Sequence, residues 1–332
     1  MMQISPETQL FIREHSSDDV RVLALQAKKY PDIDMPTAIT QIAGRKVAAE
    51  KIPSWWEIEK IWYPKHLSLE QCSSEITARY KARLLQGDSL TDLTGGFGID
   101  CSFLATGFKS ATYVERQEEL CEIAAHNFPV LNLNHINIKN EDGVTYLQAM
   151  SPVDCLFLDP ARRNEHGGKT VAISDCEPNV AELEELLLQK ANRVMIKLSP
   201  MLDLSLALKE LKQTQEVHIL SVNNECKELL ILLGQTSPAE ISIHCVNLFT
   251  KGTQKEQHFV FTREQEQCSE CTYTDSLETY LYEPNASLLK AGAFRSIAAA
   301  YPVRKLHPNS HLYTSDTFIE NFPGRIFRIV NQ

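Results

Sequence analysis

Asp92-Leu93-Thr94-Gly95-Gly96-Phe97-Gly98-Ile99-Asp100 is the stretch on which the fold reading turns. It follows the short apolar run Leu90–Leu93 and precedes a helical pattern, so it reads as a loop between a strand and a helix. Glycines in such a loop let the backbone pass close under a ligand, and the helix that follows offers free amides and the positive end of its dipole. A glycine-rich loop alone is a weak signal. Its neighbours in sequence strengthen it.

Outward from the loop, short β-branched or apolar runs alternate with helical stretches: 90–93, 111–114, 136–139, 153–158, 193–197, 216–222 and 229–233. Strands interleaved with helices predict an α/β fold with a mostly parallel, doubly wound sheet. Residues 223–228 are too few for a crossover helix, so the seventh strand is expected to run antiparallel. Glu115 ends the second strand, where an acid can take both ribose hydroxyls of a nucleotide-like ligand. Asp142 follows the third, where a carboxylate can accept from an adenine amine. With Asp92, these acids belong at the carboxyl edge of the sheet, the usual ligand crevice. Each can also be a helix N-cap or turn residue. A dinucleotide fingerprint would read Gly-x-Gly-x-x-Gly, whereas this loop reads Gly-Gly-x-Gly with an acid at its start.

Before the sheet, 7–15, 18–28, 34–50 and 68–85 carry apolar residues at three and four spacing, and Asp34 and Pro36 make a helix start. This predicts an N-terminal helical domain over 1–86, followed by the α/β domain over 87–234. Trp55, Trp56, Trp62 and Tyr63 crowd together, either as a base-stacking platform or, by the burial habit of tryptophan, as core. Beyond 234, strands at 240–248 and 258–262, a helix at 285–300 and a last strand at 325–330 predict a smaller α+β domain over 235–332.

The chain has 332 residues, enough for two or three cores. Its start lacks the basic stretch and apolar core of a signal peptide, and no run of eighteen apolar residues occurs. Nine scattered cysteines read as reduced side chains of a cytoplasmic protein. Cys268 and Cys271 form one Cys-x-x-Cys half-site with nothing to complete it, so no metal is expected. The net charge of −10 argues against a surface that attracts nucleic acid everywhere. Residues 288–332, however, carry Lys290, Arg295, Arg304, Lys305, Arg325 and Arg328 against Asp316 and Glu320. That tail is either a solvated face or a phosphate-contacting one.

The fourth strand runs into Asp159-Pro160-Ala161-Arg162-Arg163. This motif, Asp92–Asp100 and the segment Glu70-Gln-Cys-Ser-Ser-Glu-Ile-Thr-Ala-Arg-Tyr-Lys81 together resemble bacterial class I methyltransferases that carry a THUMP-like C-terminal domain. The resemblance spans nearly the whole chain, including Tyr282-Glu-Pro-Asn285 and Phe322-Pro-Gly-Arg325. It implies a Rossmann-like seven-stranded methyltransferase sheet with a THUMP-like or ferredoxin-like C-terminal domain. It also implies S-adenosylmethionine as cofactor and base methylation of a structured RNA. On the matching positions, Asp92, Thr94, Gly95, Gly96, Gly98, Asp100, Glu115 and Asp142 would bind the cofactor. Gln71, Ser73, Ser74 and Thr77 would lie near its methionine end, though a surface helix explains these four equally well. Asp159, Pro160 and Arg162 would be catalytic, holding the acceptor amine. Ala161 stands where such enzymes have a second proline and Arg162 where they have an aromatic ring; guanidinium planes also stack on bases. Asp159-Pro160 is otherwise a turn former. Lys197, ending the fifth strand, faces the active site or caps the sheet. The rival functions are a cofactor-binding, RNA-associated scaffold without catalysis and a Rossmann oxidoreductase.

Overall fold

The computed structural model describes residues 4–162 and 172–330. The chain divides into two compact units, Met1–Phe157 and Leu158–Gln332.

The first unit opens with helices α1 (Pro6–Glu14), α2 (Val20–Leu25), α3 (Met35–Lys51), α4 (Pro53–Trp56), α5 (His66–Gln71) and α6 (Glu75–Ala82). Asp34 caps α3 by accepting from Thr37 N at 3.2 Å, and Pro36 sits in its first turn, where a missing N–H costs nothing. Phe11, Leu23, Met35, Ala38 and Ile42 close a small core among α1 to α3. The single helix expected over 68–85 is instead broken between α5 and α6. Ser73 there turns its hydroxyl inward to Asp100 and Lys81, which a continuous helix would not allow.

Strand and helix then alternate as expected: β1 (Ser89–Asp92), α7 (Ile99–Ala105), β2 (Ser110–Glu115), α8 (Glu118–Val130), β3 (Ile136–Asn140), α9 (Gly143–Ala149) and β4 (Val153–Leu158). Their order is β4-β1-β2-β3 with every pair parallel. Such an order places the ends of β1, β2 and β3, with the loops that follow them, along one edge.

The second unit contains β5 (Ala161–Arg162), β6 (Cys176–Glu177), α10 (Val180–Lys190), β7 (Ala191–Leu198), α11 (Leu204–Glu210), β8 (Thr214–Val222) and β9 (Glu225–Gly234). All seven expected strands therefore form. The last runs antiparallel to both neighbours, giving the order β7-β9-β8. Asn223 and Asn224, both with positive φ (49° and 67°), make the tight turn of the β8–β9 hairpin, a conformation asparagine tolerates better than most residues.

One expectation fails at this point. By pattern alone, β10 (Ser242–Leu248) and β11 (Glu256–Phe261) belong to the small C-terminal domain. Instead β10 lies parallel to β8 and β11 antiparallel to β10, so both extend the sheet. Their apolar residues, such as Ile243, Cys245 and Val246, are buried there. After α12 (Arg263–Cys268) come β12 (Tyr280–Pro284), α13 (Ala286–Ala291), α14 (Phe294–Ala300), β13 (Arg304–Lys305), β14 (Tyr313–Ser315) and β15 (Gly324–Arg328). The four strands pair antiparallel in the order β13-β14-β12-β15. The single helix expected over 285–300 splits because Gly292 adopts φ +76° and ends α13.

Candidate functional site

The glycine loop after β1 is fixed from several sides. Gly95 N donates to Val114 O at 2.9 Å and Gly98 N to Gly95 O at 2.8 Å. A Cβ on Gly95 would stand 2.3 Å from the Tyr113 ring, so only glycine fits. Gly98, at φ +85°, precedes α7. Tyr113 donates its hydroxyl to Gly96 O, and burial, with Glu115 next, pushes its phenol well above the usual range. Phe97 and Ile99 point away from the glycines into a core with Trp55, Tyr63, Ile61, Leu69 and Ala78. The tryptophan cluster accordingly splits: Trp55 is core, Trp62 stacks on His126 at 3.7 Å, and Trp56 is 42% exposed. Core packing by the N-terminal helices thus holds the loop in shape.

Around that loop the structure brings most of the predicted acids together. Glu115, at the end of β2, is 8% exposed and accepts from Gly96 N at 2.9 Å and Gln117 N at 2.8 Å. Asp92 is buried and accepts from Thr94 N at 3.0 Å. Asp100 pairs with Lys81 (Oδ1 to Nζ, 3.0 Å) and accepts from Ser73 Oγ at 2.7 Å, while Lys81 also donates to Ser73 Oγ at 2.9 Å. Cys101, beside them, is pushed well up by burial and then by Asp92 and Asp100, so it stays a thiol.

The remaining predicted residues separate. Asp142 caps α9, one oxygen accepting from Val144 N and Thr145 N, both at 3.0 Å; this is the helix-cap alternative read from the sequence. Thr77 donates to Ser74 O at 3.0 Å and shares a 3.2 Å contact with Ser74 Oγ, so these two hydroxyls serve their own turn. Gln71 ends α5 exposed. Lys81, not among the predicted site residues, lies fully buried in this network. Its signal was available: it follows Ala78 by three and Thr77 by four, on the inward face of α6.

In the second unit, Asp159 Oδ2 lies 2.5 Å from Lys197 Nζ, at the end of β7. Lys197 thus lies beside Asp159 at the end of its strand. Pro160 is buried, Arg162 closes β5, and Arg163 lies outside the described residues. The basic tail is largely engaged. Arg325 pairs with Glu283 at 2.6 Å, and Arg304 pairs with Glu278. Lys290 donates to Leu202 O, Arg295 to Gln267 O, and the buried Lys305 to Pro308 O. Arg328 is exposed. The motifs at 282–285 and 322–325 prove to be packing: Asn285 caps α13, its N–H donates to Pro323 O, and a Cβ on Gly324 would meet Glu283 O at 2.1 Å.

A parallel sheet with a tight glycine turn after its first strand and an acid closing on that turn from its second defines a Rossmann-like ligand-binding half. Comparison with known proteins specifies the class. The crystal structure of a "putative methyltransferase" from Porphyromonas gingivalis W83 is 35% identical with a TM-score of 0.86, covering 100% of this chain and 84% of that one. A ferredoxin-like domain family matches residues 280–323. An rRNA methylase from Streptococcus thermophilus shares 14% identity over 48% of this chain and 93% of its own, at a TM-score of 0.34. A "putative methyltransferase" from Streptococcus mutans, seen in complex with SAH, shares 13% over 48% of this chain and 96% of its own, at 0.35. Likeness that distant defines no shared property. No curated protein matches the chain. The chain belongs to the methyltransferase family of the Porphyromonas protein, with a ferredoxin-like region towards its C-terminus.

Proposed function

We propose that the chain is an S-adenosylmethionine-dependent methyltransferase acting on a base of a structured RNA. The observation that carries the cofactor reading is the Glu115 carboxylate closed onto the Gly96 amide at 2.9 Å, an acid held at the mouth of a glycine turn. The residues present fit such a ligand. Where a Cβ would stand on Gly96 the nearest atom is 3.7 Å away, so a ligand can approach the backbone there. The acids Asp92, Asp100 and Glu115 suit a molecule carrying hydroxyls and a cationic sulfonium. When bound, the cofactor supplies an electrophilic methyl group; Glu115 and the Gly95–Gly98 turn would hold its nucleoside end, with Ser73 and Asp100 near the other.

What the chain's own residues contribute is position, the main requirement for an in-line transfer. Asp159 accepts a hydrogen bond from the acceptor amine, and Lys197 sets the direction of that carboxylate. Arg162 stands in the sequence where the family has its aromatic ring, and guanidinium planes also stack on bases. Since the other tail cations are held by carboxylates and carbonyls, phosphate contact falls first to Arg328. The THUMP-like character of the C-terminal region and the division at 86/87 belong to this proposal. So does a cytoplasmic location, which nine free cysteines favour; among the described residues no helix is long and apolar enough to cross a membrane.

Calorimetry with S-adenosylhomocysteine on the parent and on Glu115→Ala tests the cofactor site. Equal affinity in a folded variant would remove it, and tighter binding of a nicotinamide cofactor would favour the oxidoreductase. Mass spectrometry of RNA nucleosides from a deletion strain tests the substrate, with one methylated base expected to vanish.

A further inference from the structure

β8 carries Glu216 and His218 two residues apart, hence on one face. The parallel strand β10 sets His244 in register with His218, and their rings stack at 4.3 Å. β11 brings His258 alongside, its Nε2 3.1 Å from His244 Nδ1. His218 Nε2 in turn lies 3.2 Å from Glu216 Oε2, while Arg193 holds the other oxygen, Oε1, at 3.0 Å. One ligating atom each from Glu216, His218 and His244 fall within 4.8 Å of one another. Around a tetrahedral ion with bonds of about 2.0–2.2 Å the donors sit roughly 3.3–3.6 Å apart, so the His218 and His244 rings must turn out of their stack to close the set.

The group is also graded in access. His218 is 2% exposed, His244 is half-buried and His258 is exposed, which gives an ion a way in from the surface. His218 and Lys197 share one level of the sheet, each in register with Leu230 of the intervening strand β9. The linear sequence hides the group, because its members come from three strands, and no metal was expected from it.

We propose that Glu216, His218 and His244, completed by His258, bind one divalent transition ion of the zinc class, which pins the added strands β10 and β11 to β8. Imidazole with a single carboxylate is a donor set suited to such ions. Arg193 plays the part of an outer partner, fixing the carboxylate so that Oε2 faces the rings. A nitrogen that takes the ion passes its proton to the other ring nitrogen or to solvent.

The test uses the full chain stripped with a chelator. Zinc is titrated by calorimetry, and cobalt by its visible absorption, on the parent, on His244→Ala, on His258→Ala and on Cys268→Ser/Cys271→Ser, each checked for fold by circular dichroism. One ion per chain is expected, weakened about 100-fold in His244→Ala and at least about tenfold in His258→Ala, with the cysteine variant unchanged. Should His244→Ala fail to fold, His258→Ala, at an exposed position, decides. No uptake at micromolar zinc, unchanged affinity in the histidine variants, or loss in the cysteine variant would each overturn the proposal.

Discussion

Replacing Asp100 by alanine probes the buried charge on which the loop rests. Lys81 is fully buried, with its Nζ 3.0 Å from Asp100 Oδ1 and 2.9 Å from Ser73 Oγ. Removing one partner of a buried ion pair costs about 3–5 kcal/mol, because the remaining charge has lost its compensation. Asp100 is 9% exposed, so some water reaches the site and the lower end, about 3 kcal/mol, is expected. That is a large part of the roughly 5–15 kcal/mol that holds a domain together. For a unit of this size each kcal/mol is worth about 2–4 °C, so Tm should drop by about 6–12 °C. Removing both charges, as in Lys81→Met/Asp100→Leu, should recover most of the loss. Urea and thermal unfolding followed by tryptophan fluorescence read this directly, since Trp55 packs in the same core as Phe97 and Ile99. If Asp100→Ala lowers Tm by under 2 °C, or the double variant is no more stable than the single, Asp100 does not compensate the buried Lys81 charge as argued.

Gly95→Ala should cost about 1–3 kcal/mol, because its Cβ would stand 2.3 Å from the Tyr113 ring, and should abolish S-adenosylhomocysteine binding in calorimetry. Gly143→Ala drives a Cβ to 2.2 Å from the Leu93 carbonyl oxygen, at the entry to the glycine loop, and should lower the urea midpoint. Asp159→Asn should slow methyl transfer by about 100-fold or more with cofactor affinity nearly unchanged; a full rate would take the acceptor away from this carboxylate. For RNA, Arg328→Ala should reduce the salt slope of binding by about 0.7, measured by filter binding across potassium chloride concentrations. Arg325→Ala should change it less, since its guanidinium is held by Glu283 at 2.6 Å.

Much of the α/β portion was legible because each strand is a compact apolar run bounded by a turn, and the short 223–228 link forced an antiparallel partner. β10 and β11 have the same local pattern as the sheet strands. Only pairing over long range distinguishes a strand added to an existing edge from one in a separate domain, and pattern carries no such information. The break before α6 was missed because apolar periodicity runs through Cys72–Ser74, although Ser73-Ser74 ahead of a helix is a start signal. Glu115 was legible from its place after a strand. Its closure onto Gly96 was not, and neither was the meeting of Asp159 with Lys197, since both depend on how separate segments are brought together. Asp142 shows the reverse: its residue type served two readings, and the structure gives it the local one.

The pairing of β10 with β8 also bears on how this chain can be dissected. Hydrogen-bonded partners run from Glu216 to Val222 on β8, and the region beyond is tied on again where Asn224 accepts from Ala286 N and Lys290 reaches Leu202 O. A gene fragment stopping at Gly234 would turn an interior strand, with Val217, Ile219 and Leu220 on it, into an open rim of unpaired amides and carbonyls. Inclusion bodies from such a fragment would then report a lost neighbour rather than a lost substrate, and a cut near Thr262 would keep that rim covered.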